Sequence, residues 1–120
     1  MIKMAENLGI PEENRYCNFN PTFRELQSSY LEILKAVKKL DVAEIPSVIF
    51  VYVGGHGASK DEKQVFLLNS SKPKEAIYYI ELKLRHIIKE PLSMSRIFAI
   101  YDCCRVKLES LHGLAFGRGN

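Results

Sequence analysis

Val48-Ile49-Phe50-Val51-Tyr52-Val53 runs directly into Gly54-Gly55-His56-Gly57-Ala58. Six apolar residues in a row, rich in β-branched and aromatic side chains, predict a strand buried on both faces, the pattern of a parallel strand. A second such run, Arg96-Ile97-Phe98-Ala99-Ile100-Tyr101, ends on Asp102-Cys103-Cys104-Arg105. Each run therefore finishes on residues that carry chemistry.

Helical patterns flank these strands. Upstream, Thr22 followed three residues later by Glu25 reads as a capping box, and Phe23, Leu26, Tyr30, Ile33, Leu34, Val37 and Leu40 recur at helical spacing. Lys35, Lys38 and Lys39 near the end of that helix are expected on a solvated face, where cations also suit the dipole. Between the strands, Ser59 to Gln64 reads as a polar loop, Val65 to Leu68 as a short strand and residues 69–74 as another loop. Ile77, Ile80, Leu84, Ile87 and Ile88 then form an amphipathic helix closed before Pro91. Residues 2–8 make one or two helical turns, ended by Gly9-Ile10-Pro11, and residues 11–20 are a loop. Gly113, Gly117 and Gly119 mark a loop or frayed terminus. Phe23, Tyr30, Phe50 and Phe98 are expected in the core. Strand, helix, strand predicts an α/β fold with a mostly parallel sheet flanked by helices.

The composition excludes several classes. In 120 residues, 47% hydrophobic and 26% charged is the balance of one globular domain rather than of a disordered chain. A net charge of +3 without a basic cluster gives no reason to expect a nucleic-acid partner. The longest apolar run is far short of the ~20 residues that span a bilayer, and Met1 to Asn7 lack the apolar centre of a signal peptide. No membrane partner is expected. Three cysteines, two of them adjacent, do not make a disulfide framework, so a reducing, cytoplasmic setting is the default.

In open α/β sheets, sites form outside the carboxyl ends of the strands. His56 follows one strand and Cys103-Cys104 the other. If the strands are parallel neighbours, an imidazole faces a thiol. The thiolate is the nucleophile, and a histidine can help form it and then protonate a leaving amine. Glycines around His56 let the backbone approach a ligand, and an N–H there can donate to an oxyanion. Adjacent residues at a strand end face opposite ways, so one of Cys103 and Cys104 should be exposed; Cys103 is taken as the small apolar core residue. Cys17 sits in a loop without a visible partner. His86 and His112 have no metal-ligand spacing to the cysteines, so no metal or cofactor is expected.

Together these segments resemble caspase-like cysteine peptidases. Phe50-Val51-Tyr52-Val53-Gly54-Gly55-His56-Gly57 is similar to the family's histidine segment, and Ile97 to Arg105 to its cysteine segment. The caspase cysteine precedes Arg, Gln or Gly, with the histidine roughly 50 residues upstream; here Cys104 precedes Arg105 and lies 48 residues after His56. Asp102, two positions before Cys104, resembles the metacaspase and paracaspase branches. The resemblance covers roughly residues 20–106. It implies a caspase-like fold and a cysteine endopeptidase. In that reading His56 is general base and acid, Cys104 is the nucleophile, and the amides of Gly57 and Cys104 form the oxyanion hole. Asp102 would bind a basic side chain, so cleavage would follow Arg or Lys.

The chain also departs from the family pattern. The family's first core strand, and a second acidic residue of the basic pocket, would precede residue 2. The small-subunit half would follow Cys104, where 16 residues remain. The expectation is one partial domain over residues 1–120. Asp102 has an equal alternative as a turn cap or lysine partner. Arg105 either positions a substrate or loop or makes a surface salt bridge, and the sequence does not choose. The rival to an enzyme is a non-catalytic module that binds a homologous partner, as a homo- or heterodimer, through an exposed strand edge. A nucleotide-binding domain is disfavoured, because Gly-Gly-His-Gly lacks the spacing and lysine of a phosphate loop.

Overall fold

The computed structural model describes residues 2–88, 93–104 and 106–108. The fold is α/β. A parallel pair of strands and a small antiparallel sheet are joined edge to end, with helices on one side.

Helix α1 (Ile2–Asn7) is short and stops where Gly9 takes a φ of 73°, a left-handed position that ends helices. Helix α2 (Phe23–Val42) begins at the expected capping box. Glu25 N donates to Thr22 Oγ1 at 3.1 Å, and Thr22 N donates to Glu25 Oε1 at 2.9 Å. One stripe of α2 buries Tyr30 and Val37, while Lys35, Lys38 and Lys39 stay exposed.

Strand β1 (Ser47–Gly55) pairs in parallel with β5 (Ser95–Cys103), from Ser47 opposite Ser95 to Gly55 opposite Cys103. A hydrogen bond of 2.6 Å between the Ser47 and Ser95 hydroxyls pins the start of the pair. Both strands are longer than the apolar runs, so Asp102 and Cys103 lie within β5. Strands β2 (Gly57–Lys60) and β3 (Lys63–Leu67) form an antiparallel hairpin, and β4 (Ile77–Tyr78) adds to β3. Helix α3 (Ile80–Ile87) then leads towards β5. The core gathers Tyr30, Val37, Leu84 and Ile87 against Ile49, Val51, Ile97, Ala99 and Tyr101.

The sheet is not mostly parallel as expected, because β2, β3 and β4 pair antiparallel and only β1 and β5 run parallel. Three further expectations need correction. Residues 59–64 are not a loop. They are most of the β2–β3 hairpin, turned by Asp61 and Glu62, whose φ values of 51° and 65° match the two left-handed positions of a tight hairpin turn. Ile77 does not open the following helix, because Ile77 and Tyr78 pair with Leu67 and Phe66 and bury the Tyr78 ring first.

The third correction concerns the parallel pair itself. Both helices of the core pack on one face, and among the described residues nothing covers the other. Val48 is 72% exposed and Phe98 57%. Phe50 and Phe98 stack on each other on this outer face, with centroids 5.3 Å apart, instead of entering the core. Tyr30 is buried as expected and Phe23 is half-buried, set edge-on to Tyr78.

Candidate active site at the end of the parallel strands

His56 is the single residue between the end of β1 and the start of β2. The chain turns there because Gly55 has a φ of 128°, which L side chains rarely adopt. A Cβ on Gly55 would also meet the Phe66 ring at 3.4 Å. The His56 carbonyl accepts from Leu67 N at 2.9 Å, which ties the turn to β3 and leaves the imidazole exposed.

The register sets what faces His56. Along β1 and β5 every paired residue is 48 positions from its partner, up to Gly55 and Cys103. Beyond the turn, Ser59 bridges Lys107 in parallel, again 48 apart, and Ser59 N donates to Val106 O at 2.9 Å. The offset is the same on both sides, so Cys104 lies beside His56. Neighbouring strands are roughly 5 Å apart, within reach of an imidazole and a thiol. Cys104 is exposed and Cys103 half-buried. None of the three cysteines is in a disulfide.

Gly57 and the cysteine segment interlock. A Cβ on Gly57 would lie 2.5 Å from Gln64 Nε2, 2.8 Å from Cys103 Sγ and 2.9 Å from the Cys104 carbonyl oxygen. Glycine is therefore the only residue that fits there without displacing the Cys104 backbone. Gln64, fully buried, donates from Nε2 to Ala58 O, Val65 O and Cys104 O at 3.1, 3.0 and 3.0 Å. Its own N–H donates to Glu81 Oε1 at 2.8 Å, and Glu81 is held in turn by Arg85 at 2.7 Å. Through Gln64, the hairpin and α3 hold the peptide of Cys104.

Asp102 neither caps a turn nor pairs with a lysine among the described residues. It stands in β5 opposite Gly54, on the exposed face, and its Oδ2 accepts from Tyr52 Oη at 2.6 Å. That bond, followed by desolvation and the charge of Asp102, raises the Tyr52 pKa above the usual tyrosine value. A cleft of about 650 Å³ runs from loop residues Tyr16 and Phe19, past Leu26 and Tyr30 of α2, along Val53 to His56.

The structure thus brings His56, Cys104, Gly57 and Asp102 to one end of the parallel pair. Cys17 is exposed in its loop and His86 is exposed on α3. Arg105, His112 and the glycines from Gly113 onward lie outside the described residues. Among the described residues no three His, Cys, Asp or Glu side chains gather to hold a metal ion, and no helix is long and apolar enough to cross a membrane. Sequence reasoning missed Gln64 and Tyr52. Gln64 gave no signal in a segment read as a loop. Tyr52 gave none either, because only the register of β1 against β5 sets Asp102 beside Gly54, the neighbour of Tyr52 on its strand face. Comparison of the chain with protein-family models, curated proteins and solved structures finds no match.

Proposed function

We propose that the chain is a caspase-like cysteine peptidase domain of the metacaspase or paracaspase type, cutting peptide bonds after Arg or Lys. The supporting observation is the constant offset of 48 residues, which sets Cys104 beside His56 at the carboxyl end of two parallel strands. In this reaction His56 takes the Cys104 proton. The thiolate attacks the scissile carbonyl carbon, and the oxyanion accepts from the Gly57 and Cys104 amides. The imidazolium gives its proton to the leaving amine as the C–N bond breaks, leaving a thioester. His56 then deprotonates a water that attacks the thioester, and the thiol and the carboxylate product are released. Asp102 faces the basic side chain of the substrate. Free-thiol chemistry of this kind suits the reducing cytoplasm.

The test is labelling by a peptide that carries Arg beside a thiol-reactive warhead, on wild type, Cys104→Ala and His56→Ala. Labelling of wild type alone is the expected result. Equal labelling of wild type and His56→Ala would sink the dyad.

A second reading has its own observation. Among the described strands, β1 and β5 pair only with each other, so both outer edges of the parallel pair are open. Open edges accept further strands. In this reading the chain binds a second copy or a homologous domain through that edge. Solution mass decides it: a monomer at all concentrations, with and without a fuller homologue, removes it.

A further inference from the structure

The Tyr52–Asp102 pair lies outside the His56–Cys104 dyad, and nothing in the proposed chemistry requires the tyrosine. Yet its geometry is built. Tyr52, Gly54 and Asp102 share the exposed face of the parallel pair, with Gly54 and Asp102 direct register partners. The Tyr52 ring reaches Asp102 by lying across Gly54. A Cβ on Gly54 would stand 3.1 Å from Tyr52 Cε1 and 3.3 Å from its hydroxyl oxygen. The hydroxyl donates to Oδ2 at 2.6 Å, the length of a charge-assisted O–H···O bond.

An exposed aspartate without such a partner samples several rotamers, and each must be given up when a ligand binds. Here one oxygen is held and Oδ1 remains for a second donor. The carboxylate stands near the end of β5, two residues before Cys104, so the paired strand fixes its backbone close to that residue. Among the described residues no lysine or arginine pairs with Asp102, so a cation arriving there meets no internal competitor.

We propose that Tyr52 is a positioning residue for substrate recognition: its hydroxyl, given room by Gly54, fixes the Asp102 carboxylate to receive a cationic side chain of the peptide. The inference rests on the peptidase reading and assigns a residue and a specificity device that the dyad does not include. It predicts that Tyr52 acts on substrate capture and not on the chemical step.

Labelling kinetics separate the two. With the arginyl warhead peptide and a leucyl counterpart, the half-saturating concentration and the maximal rate are measured for wild type, Tyr52→Phe, Gly54→Ala and Asp102→Asn. Tyr52→Phe keeps the ring and loses only the donor. It is expected to raise the half-saturating concentration of the arginyl probe by on the order of fivefold, the factor for one hydrogen bond. The maximal rate and the leucyl probe should not change. Gly54→Ala, which pushes the ring by a few tenths of an ångström, should move the same constant in the same direction. Asp102→Asn should abolish the arginyl preference. If Tyr52→Phe matches wild type while Asp102→Asn loses the preference, Tyr52 positions nothing and the inference falls. Cys104-dependent labelling without any arginyl preference also overturns it, while leaving the dyad standing. No labelling of folded wild type by either probe overturns both.

Discussion

Replacing Gln64 with Met tests the strap that holds the peptide of Cys104. Methionine keeps an unbranched chain of similar size in a fully buried position and removes the carboxamide. Three carbonyls lose a donor: Ala58 and Val65 in the hairpin, and Cys104 beyond it. An amide nitrogen has only two hydrogens, so the three contacts count as about two full bonds. At ~1 kcal/mol net each, plus part of the ~1–3 kcal/mol for a buried acceptor left unpaired, the loss comes to about 2–3 kcal/mol. With a urea slope of ~1–3 kcal/mol per molar, the unfolding midpoint falls by about 1–2 M at an unchanged slope. Under native conditions a small neutral thiol reagent should also react at Cys104 at a changed rate, because its backbone is no longer held. Gln64→Glu sharpens the case. At neutral pH an ionised carboxylate would face the oxygens to which the amide donated, so this variant should be less stable than Gln64→Met. Burial and those oxygens raise the folded pKa of the new acid above ~4.3, so the deficit grows as pH rises above that value and shrinks in acid. A Gln64→Met midpoint within ~0.2 M of wild type, with unaltered Cys104 reactivity, would refute the strap, since even one net bond is worth more than that.

Other outcomes follow from the same geometry. Gly57→Ala forces a methyl against Gln64 Nε2, Cys103 Sγ and the Cys104 carbonyl; the overpacking should cost about 1–3 kcal/mol in urea unfolding and slow probe labelling together. Thr22→Ala removes the acceptor for Glu25 N and should lower stability by about 1 kcal/mol, read as a drop in the thermal midpoint by circular dichroism, with Thr22→Ser restoring most of it. The Tyr78 hydroxyl is pushed up to about 12, by burial first and by Tyr30 second. Unfolded tyrosine ionises near ~10, so from there upward the unfolded chain binds fewer protons than the folded one. Stability should therefore fall as pH rises from about 10 towards about 12, and Tyr78→Phe should flatten that part of the urea-midpoint profile.

The parallel strands were legible because their apolar runs are long and each ends on distinctive residues. The capping box at Thr22 and the solvated lysines of α2 were local signals with local causes, and both hold. The misreadings share another cause. The polarity of residues 59–64 resembles a loop, but Gln64 is buried because it serves the carbonyls of Val65 beside it, of Ala58 on the facing strand and of Cys104 beyond β5. Ile77 fits a helical period, yet its pairing with Leu67 is decided by the sheet. Phe98 and Val48 are apolar enough for a core, but α2 and α3 both pack on the opposite face. In the candidate site, the end-of-strand placement of His56 and the Cys103-Cys104 pair could be read from the chain. The bond between Tyr52 and Asp102 could not, because it depends on register.

That register has a consequence in time. His56 and Cys104 are neighbours only because β1 finds β5, a contact closed over 48 residues. Closing such a loop carries an entropy cost of roughly 3 kcal/mol plus a constant, so non-local parallel pairing is slow compared with the hairpin and α3 that form inside it. On the ribosome, at ~5–20 residues per second, His56 is made several seconds before Cys104 exists. A growing chain therefore carries one half of the pair without the other, and the two meet only when β5 docks.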